Sequence, residues 1–287
     1  MALLSLAGAV LLSMSTWFSA SSVVPQLTVV WGLGPSSAAW MTIGVQVGFV
    51  VGALLSAALS LTDVFAPRRV IAAGALLAAT ANLALLTVGS PLGAVIWRGV
   101  TGMALAGVYP PAMKAMATWY RAGRGLALGT MVGALTIGSA LPHLVRAGGG
   151  VEWRVVVVTT SVTTVLGGGL ALLGRDGPFR FPRSAFEPRA ALWVVRDRRV
   201  RLASYGYFGH MWELYAMWSW IGAFLLASFE RSGLESAERV SALAAFAVIA
   251  VGAVGAVVGG AWSDRFGRPR AAALALLGVA GMFVRPL

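Results

Sequence analysis

Three groups of residues in this chain have types and spacings suited to chemistry. The densest is Tyr207-Phe-Gly-His210-Met-Trp-Glu213-Leu-Tyr215-Ala-Met-Trp218-Ser-Trp220, inside an apolar run. At about 100° per residue, Gly206, His210, Glu213, Met217 and Trp220 fall on one stripe. An ionised carboxylate at mid-span is costly unless paired or in water, and His210, one turn away, can donate to Glu213. Two readings stand for this pair: an internally satisfied structural contact, or a protonatable dyad on a cavity wall. The second group is the single residue Arg98, about 10 Å into its run at 1.5 Å per residue. It either snorkels toward the surface or faces a cavity as counter-charge to an anion or as an electrostatic organiser of proton movement. The third group pairs aspartates with arginines at run ends: Asp63 with Arg68 and Arg69, and Asp264 with Arg268 and Arg270.

The elements that must position these residues are membrane helices. Of 287 residues, 58% are hydrophobic and only 11% are charged, with a mean hydropathy of +0.82. A soluble domain carries roughly 25% charged residues, so a water-soluble globule is excluded. With no cysteine, thiol catalysis, disulfides and thiolate metal sites are excluded as well. Apolar runs lie at 4–30, 37–60, 70–89, 91–112, 125–146, 153–174, 202–228, 239–262 and 271–284. Their length and spacing predict nine helices in an all-α membrane protein rather than a barrel. On the first, Ser13, Trp17 and Ser21 share a stripe, and Pro25 is expected to bend the helix. Trp17 and Trp220 join Arg98, His210 and Glu213 as expected solute-binding or proton-coupling residues.

The net charge of +12 reports topology rather than nucleic acid. Sixteen of the 22 basic residues fall in the loops at 61–69, 113–124, 175–201 and 263–270, which makes those loops cytoplasmic and the amino terminus cytoplasmic too. No basic patch is interleaved with stacking aromatics, so no nucleic-acid partner is expected. The expected location is the plasma (inner) membrane, with the lipid bilayer as partner. The loop 175–201, with Pro178, Pro182 and Pro188, reads as a basic linker between a six-helix unit, 1–174, and helices seven to nine in a partial unit, 202–287. The rows Gly44/Gly48/Gly52 and Gly125/Gly129/Gly133 read as packing faces, and His143 as an interfacial residue.

Asp63 and Asp264 stand 201 residues apart, each followed by an aromatic two positions later, a turn and basic residues. That is the period of a six-helix unit used twice. With Gly260-Ala-Trp-Ser-Asp264-Arg-Phe-Gly-Arg268-Pro-Arg270 and Arg98-Gly-Val-Thr-Gly102, the chain resembles the major facilitator superfamily of secondary transporters. The copy at 59–69 departs from the family's loop signature, with Leu59 for the leading glycine and Pro67 at a position usually basic. The resemblance implies a bundle working by alternating access, without a cofactor, in which Asp63, Arg68, Arg69, Asp264 and Arg268 gate the domain interface. It also implies a small-molecule substrate, with a small anion preferred and protons as coupling ion in a symporter-like cycle. Gly138-Ser139 stands where drug antiporters carry Gly-Pro, which argues against drug efflux. The family has twelve helices, so the resemblance further implies a C-terminally truncated transporter, inactive as a fragment in the alternative reading. A membrane-embedded enzyme is the remaining alternative. No metal-ligand motif or soluble catalytic domain supports it, and the chain is expected not to be an enzyme.

Overall fold

The computed structural model describes residues 2–149, 152–175, 177–179, 181 and 196–283. Among them every apolar run is helical, and no strand occurs. The helices are α1 (Ala2–Ser13), α2 (Val24–Trp31), α3 (Pro35–Ala58), α4 (Leu61–Val64), α5 (Pro67–Leu83), α6 (Pro91–Leu105), α7 (Tyr109–Ala117), α8 (Arg124–Gly149), α9 (Trp153–Leu172), α10 (Arg198–Arg231), α11 (Ala237–Phe266) and α12 (Arg268–Phe283). Prolines open α3, α5 and α6, where the missing N–H has no intrahelical partner to lose. Pro67, the departure from the loop signature, is one of these starts.

Six helices are long and apolar enough to cross a bilayer alone, and the pair Ala2–Thr16 and Ser21–Trp31 forms a seventh candidate bent by 43°. The sequence predicts nine similar spans, and the last set differs. α10 has 34 residues, but His210, Glu213, its tyrosines and its serines dilute its apolar character, and α12 has 16. The first linker residues dock on the end of α7, where Gly177 N–H donates to Thr118 Oγ1 at 3.0 Å and Phe179 N–H to the Thr118 carbonyl at 2.9 Å. Asp197 caps α10, accepting from the N–H groups of Arg199 and Val200. The expected linker's middle, 182–195 with Pro182, Glu187 and Pro188, lies outside the described residues, as does 284–287.

Small residues let the helices approach, as lipid-embedded helices require, because lipid gives them little hydrophobic drive to associate. A Cβ on Gly48 of α3 would collide with the backbone of Gly99 on α6, so these two helices touch main chain to main chain. The same holds between α8 and α11, where a Cβ on Gly129 would run into the Ala256 carbonyl. Both glycine rows are therefore packing faces, as their spacing suggests. The core between the helices is built from Val10, Met14, Phe18, Ile71, Leu105, Met116, Met131 and Ile249.

Candidate functional site

The site begins with a break in the first span. Two short 3₁₀ turns, Met14–Thr16 and Ser21–Val23, separate α1 from α2. The hydroxyls of Ser15, Thr16, Ser19 and Ser22 each donate to the carbonyl three residues back, which competes with the helical ladder. The bend therefore precedes Pro25, contrary to the expectation that Pro25 causes it. Pro25 sits in the first turn of α2, where it costs nothing.

Arg98 explains how the break survives burial. Its side chain is fully buried, with Nε donating to the Met41 carbonyl at 3.0 Å and Nη1 to the Thr16 carbonyl at 3.0 Å and to Ser19 Oγ at 3.2 Å. Nη2 bonds the Trp17 carbonyl. Freed carbonyls in a membrane segment need donors, and one guanidinium supplies them from α6. Ser19 Oγ in turn donates to Asn82 Oδ1 at 2.6 Å, and Asn82 Nδ2 reaches the Val157 carbonyl, Thr160 and Ser161 of α9. Arg98 is thus a brace in the wall of the bundle, and the expectation that it faces the central cavity is corrected: every nitrogen is spent on protein acceptors.

A cavity of ≈ 520 Å³ lies among α2, the first half of α3, the end of α8 and the middle of α10. Its walls carry Ser21, Thr42, Gln46, Tyr215 and Ser219 between apolar and aromatic side chains. Ser21 and Thr42 share a hydrogen bond of 2.7 Å across the break and α3. Below it lies an aromatic floor: the Trp17 ring stacks on Tyr215 with centroids 6.1 Å apart at 16°, and Phe49 meets Trp17 edge-on at 4.9 Å.

Helical phase decides which α10 residues reach this cavity. Phe208, Met211, Trp212, Tyr215, Ser219 and Trp220 line it, and at about 100° per residue Glu213 points roughly 160° from Tyr215, with His210 nearby on that far side. Trp220 therefore takes part in the cavity, and Trp17 supports its floor. His210 and Glu213 do neither, and the hydrogen bond expected between them is not among those formed by the described residues. His143 and Arg146 of α8 do line the cavity, although the sequence presents His143 as interfacial and does not single out Arg146. His143 is 3% exposed and Arg146 6%. Arg146 Nη1 donates to the Ser22 carbonyl at 3.3 Å, while its Nη2 and His143 Nδ1 have no partner among the described residues. The available signal was their i, i+3 spacing, which puts both on one helix face.

The repeated aspartates do different work. Asp264, at the end of α11, accepts from the N–H groups of Gly125 and Leu126 with one carboxylate oxygen each, both at 2.8 Å. It caps the first turn of α8 across the glycine seam, where a negative charge meets the positive end of the helix dipole. Asp63 instead pairs with the lone lysine, Lys114 Nζ, at 2.7 Å, and Lys114 also donates to Thr62 Oγ1 at 3.0 Å. The expected grouping of Asp63 with Arg68 and Arg69 is corrected: Arg68 reaches the Gly174 carbonyl at 3.4 Å, and Arg69 borders a separate apolar groove. Arg268 is exposed at the start of α12.

A family model described as Major Facilitator Superfamily matches residues 6–285. No curated protein matches the chain.

Proposed function

The chain belongs to the major facilitator superfamily, a family of membrane transporters, and on that premise we propose that it moves a small solute by alternating access through the ≈ 520 Å³ cavity. The observation that carries the reading is the contrast between the two ends of α8. Its first turns are sealed against α11 by the Asp264 cap and the glycine face, while its last turns line a concave space open on one side. The two ends, Gly125 and His143, stand about 27 Å apart at 1.5 Å per residue, close to the thickness of a hydrocarbon core. A site closed at one membrane face and open at the other is one of the two states that alternating access needs.

In this reading the units 1–174 and 202–287 rock about the seam between α8 and α11. Opening the closed end requires Asp264 to release the N–H groups of Gly125 and Leu126. The Lys114–Asp63 pair lies within the first unit and holds the loop before α5. The bias of basic loops supports a seam end in the cytoplasm and a cavity mouth outside, in a plasma or inner membrane. A small anion is the favoured solute and a proton the coupling ion. Two candidate proton carriers lie on opposite faces: His143 on the cavity wall, and the His210–Glu213 stripe on the far side of α10.

The chain has no cysteine, so single thiols report accessibility directly. In the cycle proposed, Ala223→Cys on the cavity wall reacts with a membrane-impermeant maleimide in both right-side-out and inside-out vesicles. Reaction from one side only, under all conditions, overturns alternating access. Proton coupling is read with a trapped pH dye in proteoliposomes given 4-nitrobenzoate across an imposed gradient. Loss of the dye signal in Glu213→Gln, or in a His143→Gln that still binds 4-nitrobenzoate, identifies the carrier, and no signal from the unaltered chain removes protons from the cycle.

A further inference from the structure

Two arginines are fully or almost fully buried among the described residues, and only one is satisfied. Arg98 spends its guanidinium on the Met41, Thr16 and Trp17 carbonyls and Ser19. Arg146 is 6% exposed, reaches one carbonyl at 3.3 Å, and leaves Nη2 without an acceptor. Beside it on the same face, His143 is 3% exposed with Nδ1 equally unpartnered. Neither ion pair among the described residues involves them: those are Lys114–Asp63 and Arg154–Glu152. Glu238, in the first turn of α11, is exposed and beyond ion-pair distance of Arg146. Burying a charged donor without an acceptor is among the costliest things a fold can do, and both residues belong to the cavity wall, so the unused donors mark where an acceptor arrives. Gly222 of α10 gives His143 its room, because a Cβ there would stand 3.1 Å from His143 Cε1.

We infer that His143 and Arg146 form a carboxylate seat, and that the solute is a small organic monoanion with a flat, apolar body. This rests on the transport reading above and names its substrate class. A planar guanidinium offers two parallel N–H donors, and a carboxylate is the anion that takes both with one negative charge. One arginine balances one charge, which favours a monoanion over a dianion or a phosphate ester. The rest of the cavity favours an apolar body: Ile43, Met211, Trp212, Tyr215 and Trp220 present mostly aliphatic and ring surface, with Ser21, Thr42, Gln46 and Ser219 spaced between such side chains. A volume of ≈ 520 Å³ lies within the roughly 300–1,000 Å³ of small-molecule sites. The solute's ring lies against Trp212 and Trp220, and its carboxylate points to the end of α8.

Binding is read without transport, by quenching of tryptophan fluorescence in the purified full chain in nanodiscs. The probes are 4-nitrobenzoate, its uncharged isostere 4-nitrobenzamide and the cation 4-nitrobenzylamine. The seat predicts saturable quenching by the benzoate, at least tenfold weaker binding of the amide, and weaker binding still of the amine. Arg146→Gln loses at least tenfold for the benzoate and little for the amide, and Arg146→Lys falls between. Equal affinity for benzoate and amide, or tighter binding of the amine, overturns the seat, as does a folded Arg146→Gln that keeps the benzoate preference. If Arg146→Gln does not fold, the three probes on the unaltered chain decide alone. Carboxylate preference with one-sided labelling of Ala223→Cys keeps the seat and sinks transport, whereas two-sided labelling without that preference does the reverse.

Discussion

Replacing Asp264 by asparagine tests whether the seam between α8 and α11 is a gate. Each carboxylate oxygen of Asp264 now takes one backbone N–H at 2.8 Å, from Gly125 and from Leu126. Losing an N-terminal cap costs about 0.5–2 kcal/mol, and losing a negative charge at the dipole's positive end about 0.3–1 kcal/mol. Asp264 is exposed, so solvent screens the charge, while asparagine keeps one acceptor. The net loss is about 1.5 kcal/mol, or roughly tenfold in the ratio of closed to open seam. Spin labels at Arg121→Cys and Arg270→Cys, both exposed positions flanking the seam, report that ratio by double electron–electron resonance. The population with separated labels should grow about tenfold in Asp264→Asn, and the difference should shrink at high salt. An unchanged distance distribution would refute the argument and leave the cap as a fixed structural contact within one rigid body.

The remaining expectations follow from the same geometry. Gly129→Ala inserts a Cβ against the Ala256 carbonyl and should weaken the closed seam by about 1–3 kcal/mol, seen with the same spin labels as a larger separated population. Arg98→Ala strands three buried carbonyls and should destabilise the chain by about 3–5 kcal/mol in detergent unfolding, while the protein that folds binds 4-nitrobenzoate within threefold of the parent. Asn82→Leu removes the joint between Ser19 and α9 and should cost about 2–3 kcal/mol in the same unfolding measurement. A double-mutant cycle of Lys114→Met with Asp63→Asn should return a coupling of about 0.5–1 kcal/mol, since both side chains are partly exposed.

What the sequence made legible is what depends on local pattern. Hydropathy announced helices in a membrane, and glycine spacing announced the two packing faces. What it hid depends on partners far along the chain. Arg98 and Arg146 look alike in apolar runs, yet the acceptors that satisfy Arg98 come from positions 57 and 82 residues away. The serines and threonines at 13, 15, 16, 19, 21 and 22 were the readable sign of a broken helix, and with them a need for donors that a nearby buried arginine could meet. The α10 stripe was right in its period and open in its direction: periodicity tells which residues share a face, and only packing tells where that face looks. His210 and Glu213 share a stripe, but Tyr215 and Ser219 were the residues turned to the cavity.

The same α8 carries both ends of the proposed mechanism, and that shared helix ties the cavity to the seam. A helix moves largely as a body, so displacement at His143 and Arg146 reaches Gly125 and Leu126 through the hydrogen-bonded ladder between them. Pro142 interrupts that ladder one residue before His143, which lets the cavity end tilt with less strain on the seam. A ligand shifts an equilibrium only by its differential affinity for the two states. An anion that neutralises Arg146 equally well with the seam closed or open would leave Asp264 undisturbed. For the anion to drive the cycle, closure of α10 over it must bring Trp212 and Trp220 nearer to its body. The ring surface then covered must offset the loss of the two hydrogen bonds from Gly125 and Leu126 to Asp264. The aromatic wall of α10 and the cap at the far end of α8 are then opposing weights on one lever.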